Sequence, residues 1–543
     1  MGLSRIAGSL AIAALAAAGT AAAGTAPAAA QPPPQKVLRV AMTAADVPTT
    51  TGMPNNGFEG MRFLGFPVFE GLFLWDLSRA DRPAALRAGL AERWEQDPDD
   101  PKTWIFHLRQ GVSFHDGAPF DADAVIWNLD RFFKPDSPQF EPAASGITRA
   151  RVTIMQGYRK IDDRTVAITS TRPASYLPYM LVYVLFASPQ AWEKAGRDWG
   201  KAALAPAGTG PFRLTRFVPR QSAELSRNDG YWDAGRRAKL DRVVLLPMPE
   251  ANTRLAALRS GQVDWIEVPP PDGIPSLRQN GFAVTTGSYP HVWPWFYQLG
   301  GDTPFRDVRV RQGLNYCVDR AGLVGLLNGT AEPSVGWLKP SDPAFGQPAN
   351  RYGFDPARGK ALLAEAGFTP QRPLSFKVLI STSGSGQMLP LPMNEFMQQN
   401  LRESCGVNVS FEVAEWNTLL TALRSPPGSA ALNGAVSINP SSPSSDPSVM
   451  VRYFTRGAFA PTGFNWGQWT DEAFDKAMAD LEAAKDGAAA RAAYAAAHAR
   501  LVDNPPWLFI VHDLNPRAMA KRVRGFTSPQ SWFIDLAAVD AVR

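Results

Sequence analysis

Short stretches in which apolar and polar residues alternate predict β-strands along the chain. Residues 36–40, 104–108 and 165–169 show this alternation, which is typical of a strand with one buried face. Residues 507–511 are instead apolar throughout and follow two prolines, a pattern that favours a fully buried strand.

Two helices are predicted from the signals at their ends. Asp355 is an N-cap candidate followed by a proline, and Gly367 marks the end of that helix. Asn252 is the predicted cap of a second helix, which Gly261 ends. Residues 262–266 then resemble a strand.

An alanine-rich region near the C-terminal end predicts two consecutive helices. The first begins at Thr470 with two acidic residues, and the second covers about residues 488–502 after a break at Asp486 and Gly487. Strands that alternate with helices indicate an α/β fold. At about 150 residues per domain, a chain of 543 residues suggests roughly three structural units.

The first thirty residues have the layout of a secretory signal peptide. Arg5 precedes an apolar stretch at residues 10–18, and small residues lead to a predicted cleavage after Ala30. The apolar stretch is shorter than the ~20 residues that cross a bilayer, although an uncleaved anchor remains an alternative. No cysteine lies near the cleavage point, so we expect an exported periplasmic protein without a lipid anchor. Residues 176–188 are apolar but interrupted by proline, and we expect them in the core.

Charge and composition argue against nucleic-acid binding. The chain carries 55 Lys and Arg against 50 Asp and Glu, a net charge of +5, and no basic run reaches five residues. Nucleic-acid-binding proteins concentrate positive charge on one face or stripe. No nucleic-acid partner is therefore expected.

Two cysteines, Cys317 and Cys405, bear on stability after export. An oxidising compartment permits a disulfide between them, but the spacing does not show whether they meet, and two separate buried thiols are the alternative. Two cysteines without a His-x-x-x-His pair predict no metal site, and no cofactor is expected.

Common catalytic signatures are missing from the sequence. There is no Gly-x-Ser-x-Gly elbow, no Walker A spacing and no His-Glu-x-x-His, and the five histidines form no local cluster. We therefore expect a protein that is not an enzyme. A triad assembled across the fold stays open as an alternative.

Aromatic and polar residues are concentrated in three irregular segments. These are residues 291–297, 415–418 and 433–446. Aromatic walls with hydroxyl and amide groups suit a pocket for a small polar molecule. The alternative is that the tryptophans belong to the core and the Ser/Pro-rich segment is a solvated loop.

The order of several short segments resembles the family 5 extracellular solute-binding proteins, the peptide- and nickel-type binding components of bacterial ABC importers. Each segment is a weak signal, but together they cover essentially the whole mature chain in the family order. They are residues 68–73, 90–95, 103–117, 119–122, 208–212, 227–232, 253–258, 307–316 with Asp319 and Arg320, and 355–367.

The resemblance implies the type II, cluster C fold of periplasmic binding proteins, with two α/β lobes and an extra subdomain in the larger lobe. On that pattern lobe I is expected to hold residues 36–80, 205–292 and 513–543, and its subdomain residues 81–204. Lobe II is expected to hold residues 293–512. The two crossings between lobes form a hinge that closes over the ligand.

The resemblance also implies a function. We expect a monomeric periplasmic protein that captures a peptide-like or other small polar solute and delivers it to the permease complex of an ABC importer. A secreted hydrolase, and a chaperone or receptor-like protein on the same scaffold, are the alternatives.

Site residues are predicted from the same resemblance and from residue chemistry. Trp416 is expected to form a wall of the cavity, because peptide-binding relatives place a tryptophan there. Peptide binders also hold the ligand amine with an aspartate three residues before an acidic-Pro pair, but Pro443 stands there in this chain. Ordinary α-peptide recognition is therefore in doubt. The further ligand-binding candidates are Asn439, Ser441, Ser442, Asp446, Trp293 and Trp295.

Overall fold

The computed structural model describes most of the chain beyond the predicted signal peptide. Contacts divide the chain into Met1–Gln35 and Lys36–Arg543, and every sheet and helix of the described residues belongs to the second unit. Across the described part, no helix is long and apolar enough to cross a membrane. The described residues are 35–53, 57–287, 291–384, 386–440, 448–484 and 487–542.

A seven-stranded mixed sheet forms the centre of the first lobe, called lobe I. The first strand lies in its middle and pairs in parallel with the strands on either side. Residues 37–40 alternate between partly exposed and buried side chains, as predicted, whereas the end of the strand, Ala41 and Met42, is buried on both faces. In spatial order the strands are Ala283–Thr285, Arg517–Met519, Trp265–Glu267, Val37–Met42, Arg242–Pro247, Ser222–Arg227 and Phe212–Val218.

A six-stranded mixed sheet forms the centre of the second lobe, called lobe II. The strand predicted to be fully buried is so along its whole length and pairs with two neighbours. In spatial order the strands are Ala331–Pro333, Trp507–Asp513, Val292–Tyr297, Ser437–Ile438, Ser375–Ile380 and Asn408–Val413.

A four-stranded antiparallel sheet lies between the first and later strands of lobe I in the sequence. Its strands in spatial order are Ala91–Gln96, Thr103–Leu108, Thr165–Ser170 and Met155–Asp162. Two further strand pairs join Phe73–Trp75 to Leu86–Ala88 and Val523–Arg524 to Asp540–Ala541.

Seventeen α-helices surround these sheets in the described residues, and a π-helical turn, Met61–Gly65, separates the first two. The helices are Gly57–Gly60, Phe66–Val68, Ala122–Phe133, Pro142–Arg151, Leu177–Leu181, Pro189–Lys194, Trp199–Ala202, Ala251–Arg259, Ile274–Gln279, Val308–Cys317, Arg320–Leu326, Pro356–Glu365, Pro390–Cys405, Trp416–Ala422, Ser448–Phe454, Glu472–Ala483 and Gly487–Asp503.

Local end signals predict the start of one helix correctly and of another wrongly. Asp355 caps its helix by accepting a hydrogen bond from the Arg358 amide. The predicted cap at Asn252 is wrong, because Glu250 occupies that position and accepts the amide hydrogens of Asn252 and Thr253. The strand predicted at residues 262–266 is shorter and begins only at Trp265.

Three of the segments that carry the family resemblance meet at one buried carboxylate, Glu70. Its oxygens accept hydrogen bonds from the hydroxyls of Thr209 (2.9 Å) and Tyr231 (2.5 Å) and from the Trp232 indole (2.7 Å). Burial nevertheless raises the pKa of Glu70. These segments therefore hold lobe I together, as expected of motifs whose role is architectural.

The two cysteines are joined in lobe II. Cys317 and Cys405 end two different helices, their Cα atoms lie 6.0 Å apart, and their sulfurs are bonded. Gly359 packs against this bridge so closely that a Cβ there would lie 2.5 Å from the Cys317 sulfur. The disulfide ties together elements that are 88 residues apart.

The chain passes between the lobes twice. It leaves the seven-stranded sheet after Thr285, enters the six-stranded sheet at Val292, and returns between Asp513 and Arg517. The two crossings are linked where Asp513 Oδ2 lies 3.1 Å from Nδ1 of His291. Two short, adjacent connections of this kind can act as a hinge.

Candidate ligand-binding site

Direct contacts hold the two lobes together. From the lobe I side, the Arg172 guanidinium and the Tyr176 hydroxyl both lie 2.6 Å from one oxygen of Glu482. At another point Asn328 donates a hydrogen bond to the carbonyl of Pro271. Each contact joins a residue of lobe I to a residue of lobe II, so the structure has closed lobes.

A cavity of about 520 Å³ lies between the lobes. Lobe I contributes one wall and lobe II the other, and the wall of lobe II includes the segment around Gly384. A volume of this size suits a small-molecule ligand. The lining residues are Thr43, Pro249, Glu250, Ala251, Asn252, Arg254, Pro270, Pro271 and Asp272 from lobe I, and Leu326, Thr382, Ser383, Gly384, Gln387, Met388, Leu389, Pro390, Leu391 and Pro392 from lobe II.

Trp416 lies next to the cavity wall. It begins the helix Trp416–Ala422, whose N-cap is Glu415, and 5% of the residue is exposed. Its ring packs on Gly384, where a Cβ would overlap the indole and where φ is +128°. Glycine is therefore the residue that fits beside this ring. The indole Nε1 has no hydrogen-bond partner among the described residues.

An aromatic group in lobe I faces lobe II. Phe533 contacts Phe58, Trp75 and Tyr183, with ring centroids 5.7, 6.4 and 6.1 Å away. Tyr179 joins the group through Trp75. Arg452 of lobe II contacts this group at Tyr183. Its guanidinium carbon lies 5.0 Å from the centroid of the Tyr183 ring.

Arginines converge at Tyr183 from both lobes. Arg151, the last residue of the helix Pro142–Arg151, lies 5.4 Å from the Tyr183 ring centroid and 5.1 Å from that of Phe58. Burial, together with the charges of Arg452 and Arg424, lowers the pKa of Arg151 to about 10. We call Arg151, Arg424 and Arg452 the arginine cluster.

A second buried charged group lies at the base of the hinge. Glu267 pairs with Arg62 and Arg517 and accepts the Trp265 indole hydrogen at 2.7 Å. Burial alone raises the pKa of Glu267, but the two arginines, Arg517 first, outweigh it and the pKa is lowered. The Arg62 guanidinium also lies 4.0 Å from the centroid of the Trp532 ring.

Several buried donors in these groups have no acceptor within the described ranges. In lobe I they are Nε1 of Trp75 and of Trp532, Nη2 of Arg517, and Nε and Nη1 of Arg151. In lobe II the Trp416 indole beside the cavity has no acceptor, and neither have the indoles of Trp293, Trp337 and Trp466 in the core. Buried donors are normally paired, so this set favours a ligand rich in acceptor oxygens.

Three of the predicted site residues lie in the core of lobe II. Trp293 and Trp295 are fully buried on the face of their strand that packs against the helices. The Trp295 indole donates to Asn394, and Asn394 donates to Asn439. The Asn439 amide group donates to the Pro294 carbonyl. We therefore leave these three residues out of the site.

The other predicted site residues have different outcomes. Ser441, Ser442 and Asp446 lie outside the described residues. Among the candidates that the structure describes, Trp416 adjoins the cavity between the lobes, whereas Asn439, Trp293 and Trp295 lie in the core.

Sequence reasoning missed Arg151 and Tyr183, which lie in segments without an unusual local pattern. Arg452 did carry a signal in the sequence, because it is the one charged residue in the helix Ser448–Phe454, all of whose residues are buried. A lone charge inside an apolar helix indicates a specific partner. As for metals, the described residues contain no group of three or more His, Cys, Asp or Glu side chains that could hold an ion.

Comparison with known sequences identifies relatives along nearly the whole chain. The periplasmic oligopeptide-binding protein OppA of Salmonella typhimurium is 27% identical over 529 residues, which covers 90% of this chain and 93% of that protein. The glutathione-binding protein GsiB of Salmonella paratyphi A is 33% identical over 307 residues, or 55% of this chain and 56% of that protein.

Solved structures share the fold at low sequence identity. The periplasmic binding protein DppA of Helicobacter pylori, in complex with the peptide STSA, has a TM-score of 0.81 at 19% identity and covers 94% of this chain and 99% of that one. A dipeptide-binding protein of Pseudoalteromonas, in complex with Met-Leu, has a TM-score of 0.79 at 21% identity. The match covers 93% of this chain and 100% of that one. The expected two-lobe α/β fold is confirmed.

The family model that matches describes bacterial extracellular solute-binding proteins, family 5, and it covers residues 85–485. These findings confirm the predicted substrate-binding role and do not favour the hydrolase or chaperone alternatives. The family model matches most of the chain, and the structure has two lobes with a cavity between them. The chain therefore belongs to the family 5 bacterial extracellular solute-binding proteins.

Proposed function

We propose that this protein captures one peptide-like, oxygen-rich solute between its closed lobes and delivers it unchanged to the permease of an ABC importer. The observation that carries the proposal is the set of buried donors without acceptors, among the described residues, where the lobes meet, which includes the Trp416 indole and the Arg151 guanidinium. Peptide carbonyl and carboxylate oxygens are acceptors of the required kind.

The relatives support a peptide-like solute. They include binding proteins for oligopeptides, for di- and tripeptides, and for glutathione. Structural neighbours at low identity include a complex with agropinic acid and one with Ni(L-His), so the fold also serves other solutes. Pro443 replaces the aspartate expected of ordinary peptide binders, which favours a solute without a free amine at that point.

Closure of the lobes provides the physical basis for capture. Arg172 and Tyr176 contact Glu482 across the two lobes in the closed structure. When the hinge opens, these groups return to water and the cavity wall at Trp416 becomes accessible. Closure excludes water from the ligand, and polar contacts are stronger in the resulting low dielectric.

Export, domain division and assembly concern the whole protein. We propose export to the periplasm with cleavage after Ala30, and no enzymatic activity. We also propose that the lobes divide at the ranges expected from the sequence, with residues 81–204 as a subdomain of lobe I. The protein acts as a monomer whose partner is the inner-membrane permease.

Native mass spectrometry of the protein purified from periplasm tests this function. We expect a 1:1 complex, and the solute released by denaturation should keep its mass after prolonged incubation with fresh protein. Purely ligand-free protein that also fails to bind any peptide added back would contradict capture. Progressive conversion of the released solute would instead indicate an enzyme.

A further inference from the structure

A second cavity lies within lobe II, beside the disulfide. Its volume is about 390 Å³, and two helices, Pro356–Glu365 and Pro390–Cys405, contribute to its walls. Leu363 and Phe368 give it an apolar wall, and Cys405 lines it as well. None of its lining residues belongs to the cavity between the lobes, so the two cavities are separate.

The two sulfurs of the disulfide differ in access. Cys317 is fully buried, whereas Cys405 is partly exposed and lines the cavity. Gly359 packs against the Cys317 side, since a Cβ on it would lie 2.5 Å from that sulfur and 3.2 Å from the sulfur of Cys405. A disulfide exchanges only when a thiolate reaches one of its sulfurs, and access decides which one is attacked. The cavity therefore makes Cys405 the sulfur that is open to attack.

Positive charge borders this cavity. Lys360 and Arg402 line it, both are exposed, and neither pairs with a carboxylate among the described residues. Arg402 precedes Cys405 by three residues in one helix, so their side chains share a face. Lys360 follows Gly359, which packs against the disulfide. Glu403 is the one negative side chain of the lining, so positive charge is in excess.

This charge matters because the disulfide joins two helix ends. Cys317 and Cys405 are the last residues of their helices. The carbonyl end of a helix carries partial negative charge, which repels an approaching thiolate. Lys360 and Arg402 offset this repulsion, and they attract a reagent that carries a negative group of its own. The apolar wall accommodates the carbon part of such a molecule, so the cavity suits a small anionic thiol.

We propose that this cavity is a thiol-exchange site, where a small thiol with a carboxylate or sulfonate group modifies Cys405. Its thiolate forms a new S–S bond to the Cys405 sulfur, and the bond between Cys405 and Cys317 breaks. The electron pair of that bond goes to the Cys317 sulfur, which takes up a proton from water because a thiolate is costly in the core. The small thiol stays attached to Cys405 in the cavity, and the covalent tie between the two helices is released.

Three thiols of equal chain length test the proposal on the native, full-length protein. Mercaptoethanesulfonate is anionic, mercaptoethanol is neutral and cysteamine is cationic. Per thiolate and at low salt, we expect the bridge to open at least about fivefold faster with the anionic than with the cationic thiol, and the difference to shrink as salt is added. Mass spectrometry of acid-quenched samples measures the rates. Equal rates, or faster opening by cysteamine, overturn the proposal.

Lys360→Gln combined with Arg402→Gln should abolish this preference, because Glu403 is then the charged side chain left on the lining. Arg456→Gln combined with Lys476→Gln is the matched control, since it removes the same charge from exposed positions of lobe II that do not line the cavity. The rate with mercaptoethanol shows whether a variant changes the stability of the bridge itself. A preference that survives in the first variant, or is lost in the control, overturns the proposal.

Single-cysteine variants test access directly. Cys317→Ser leaves Cys405, whose thiol should react in the native protein with dithiobis(nitrobenzoate), an anionic disulfide. Cys405→Ser leaves Cys317, whose buried thiol should react at least about a hundredfold more slowly, since it becomes accessible only through local unfolding. Equal reactivity of the two thiols contradicts access from the cavity.

The wild-type protein keeps the test decisive if these variants fail to fold. Peptide mapping of acid-quenched wild type should find mercaptoethanesulfonate on Cys405, and a mixed disulfide on Cys317 would overturn the proposal. None of these measurements uses the captured solute. Failure of the thiol-exchange site therefore leaves the proposed function untouched.

Discussion

At the scale of single residues, a buried polar atom without a partner points to the site only where the residue also adjoins the cavity. Asn439 is fully buried, but Pro294 and Asn394 account for its amide. Trp416 is also buried, yet its indole nitrogen has no acceptor in the described residues. A missing partner alone does not identify a site residue, because the indole of Trp293 in the lobe II core also has no acceptor among the described residues. Trp416 differs from Trp293 in lying next to the cavity wall.

Trp416 should contribute to ligand affinity more than to the fold of the protein. We expect Trp416→Ala to weaken binding of the native solute by at least about 2 kcal/mol, since buried tryptophans dominate binding surfaces. Trp416→Phe should show a smaller loss, because the ring remains but the indole donor does not. Calorimetry measures both, and Asn417→Ala, exposed on the same helix, is the control. Unchanged affinity in Trp416→Ala removes this residue from the site.

His498 should make the protein sensitive to acid. Its Nδ1 lies 2.8 Å from the Phe345 carbonyl and its Nε2 accepts the Leu338 amide hydrogen, so the neutral ring is the form that fits. Burial lowers its pKa from 6.5 to about 4. Because the unfolded chain takes up this proton first, stability falls as the pH drops from about 6.5 towards 4, by up to ~1.4 kcal/mol per unit.

Urea melts of wild type and His498→Gln across this pH range measure the effect. Glutamine can accept from Leu338 and donate to Phe345 without titrating, so its slope with pH should be shallower. Comparing the two proteins cancels the opposite contribution of Glu59 and Glu70, whose raised pKa values add stability as the pH falls. Parallel pH profiles would contradict the role of His498.

At the scale of elements, the sequence predicts what depends on neighbouring residues. The positions of the strands at residues 103–108 and 165–170 and the Asp355 cap were predicted correctly because a strand or a first helical turn depends on local features. The single buried face predicted for residues 165–169 is wrong, since that strand is buried on both faces. The cap at Asn252 was predicted wrongly because Glu250, two residues earlier, has a longer side chain that reaches the same amides. Several residues near a helix start can compete for the cap.

The site could be predicted only in part, for a geometric reason. The strand Val292–Tyr297 is buried on both faces, and its pattern does not say which face lies towards the ligand. Trp293 and Trp295 point into the lobe II core, whereas Phe296 belongs to the other face. The approach of Arg151 to Arg452 joins residues 301 positions apart, which no local pattern encodes.

The disulfide should stabilise lobe II. Closing a loop of 88 residues restricts the unfolded chain, and on that basis we expect Cys317→Ser with Cys405→Ser to lower the free energy of unfolding by about 2–5 kcal/mol. Denaturant melts of the oxidised and doubly substituted proteins measure this loss. Equal stability, or two free thiols in the denatured and unreduced protein, would contradict the bridge.

Gly359 supplies an independent test of the same packing. Any larger residue there meets the Cys317 sulfur and the Gly313 carbonyl, so Gly359→Ala should destabilise the oxidised protein by about 1–3 kcal/mol. Gly353, which has open space around it, is the control position. If the two alanine variants are equally stable, the helices do not pack as closely as described.

At the scale of the whole molecule, the closed lobes share apolar packing, since one buried hydrophobic cluster includes residues of both lobes, and the polar contact at Glu482 adds little to it. The group of Arg172, Tyr176 and Glu482 is partly exposed, and pairs of this kind contribute at most about 1 kcal/mol. We expect the ligand to add to the energy of closure that this apolar packing provides. The open form should be readily populated when no ligand is bound.

Glu482→Gln should weaken solute binding only slightly. We expect a loss of no more than about fivefold, mainly through faster release, since the contact forms after the ligand enters. Asp475→Asn, which alters an ion pair with Arg456 within lobe II, is the control and should leave binding unchanged. A loss of a hundredfold in Glu482→Gln would show that this contact, rather than the ligand, determines closure.

Small-angle X-ray scattering during a titration tests the central claim most directly. Ligand-free protein, prepared by unfolding and refolding, should show a larger radius of gyration than the complex. Adding back the solute recovered from periplasm should reduce that radius in one step that saturates at one molecule per chain. A radius that stays constant through saturation would show that the solute is not held between closing lobes and would contradict the account.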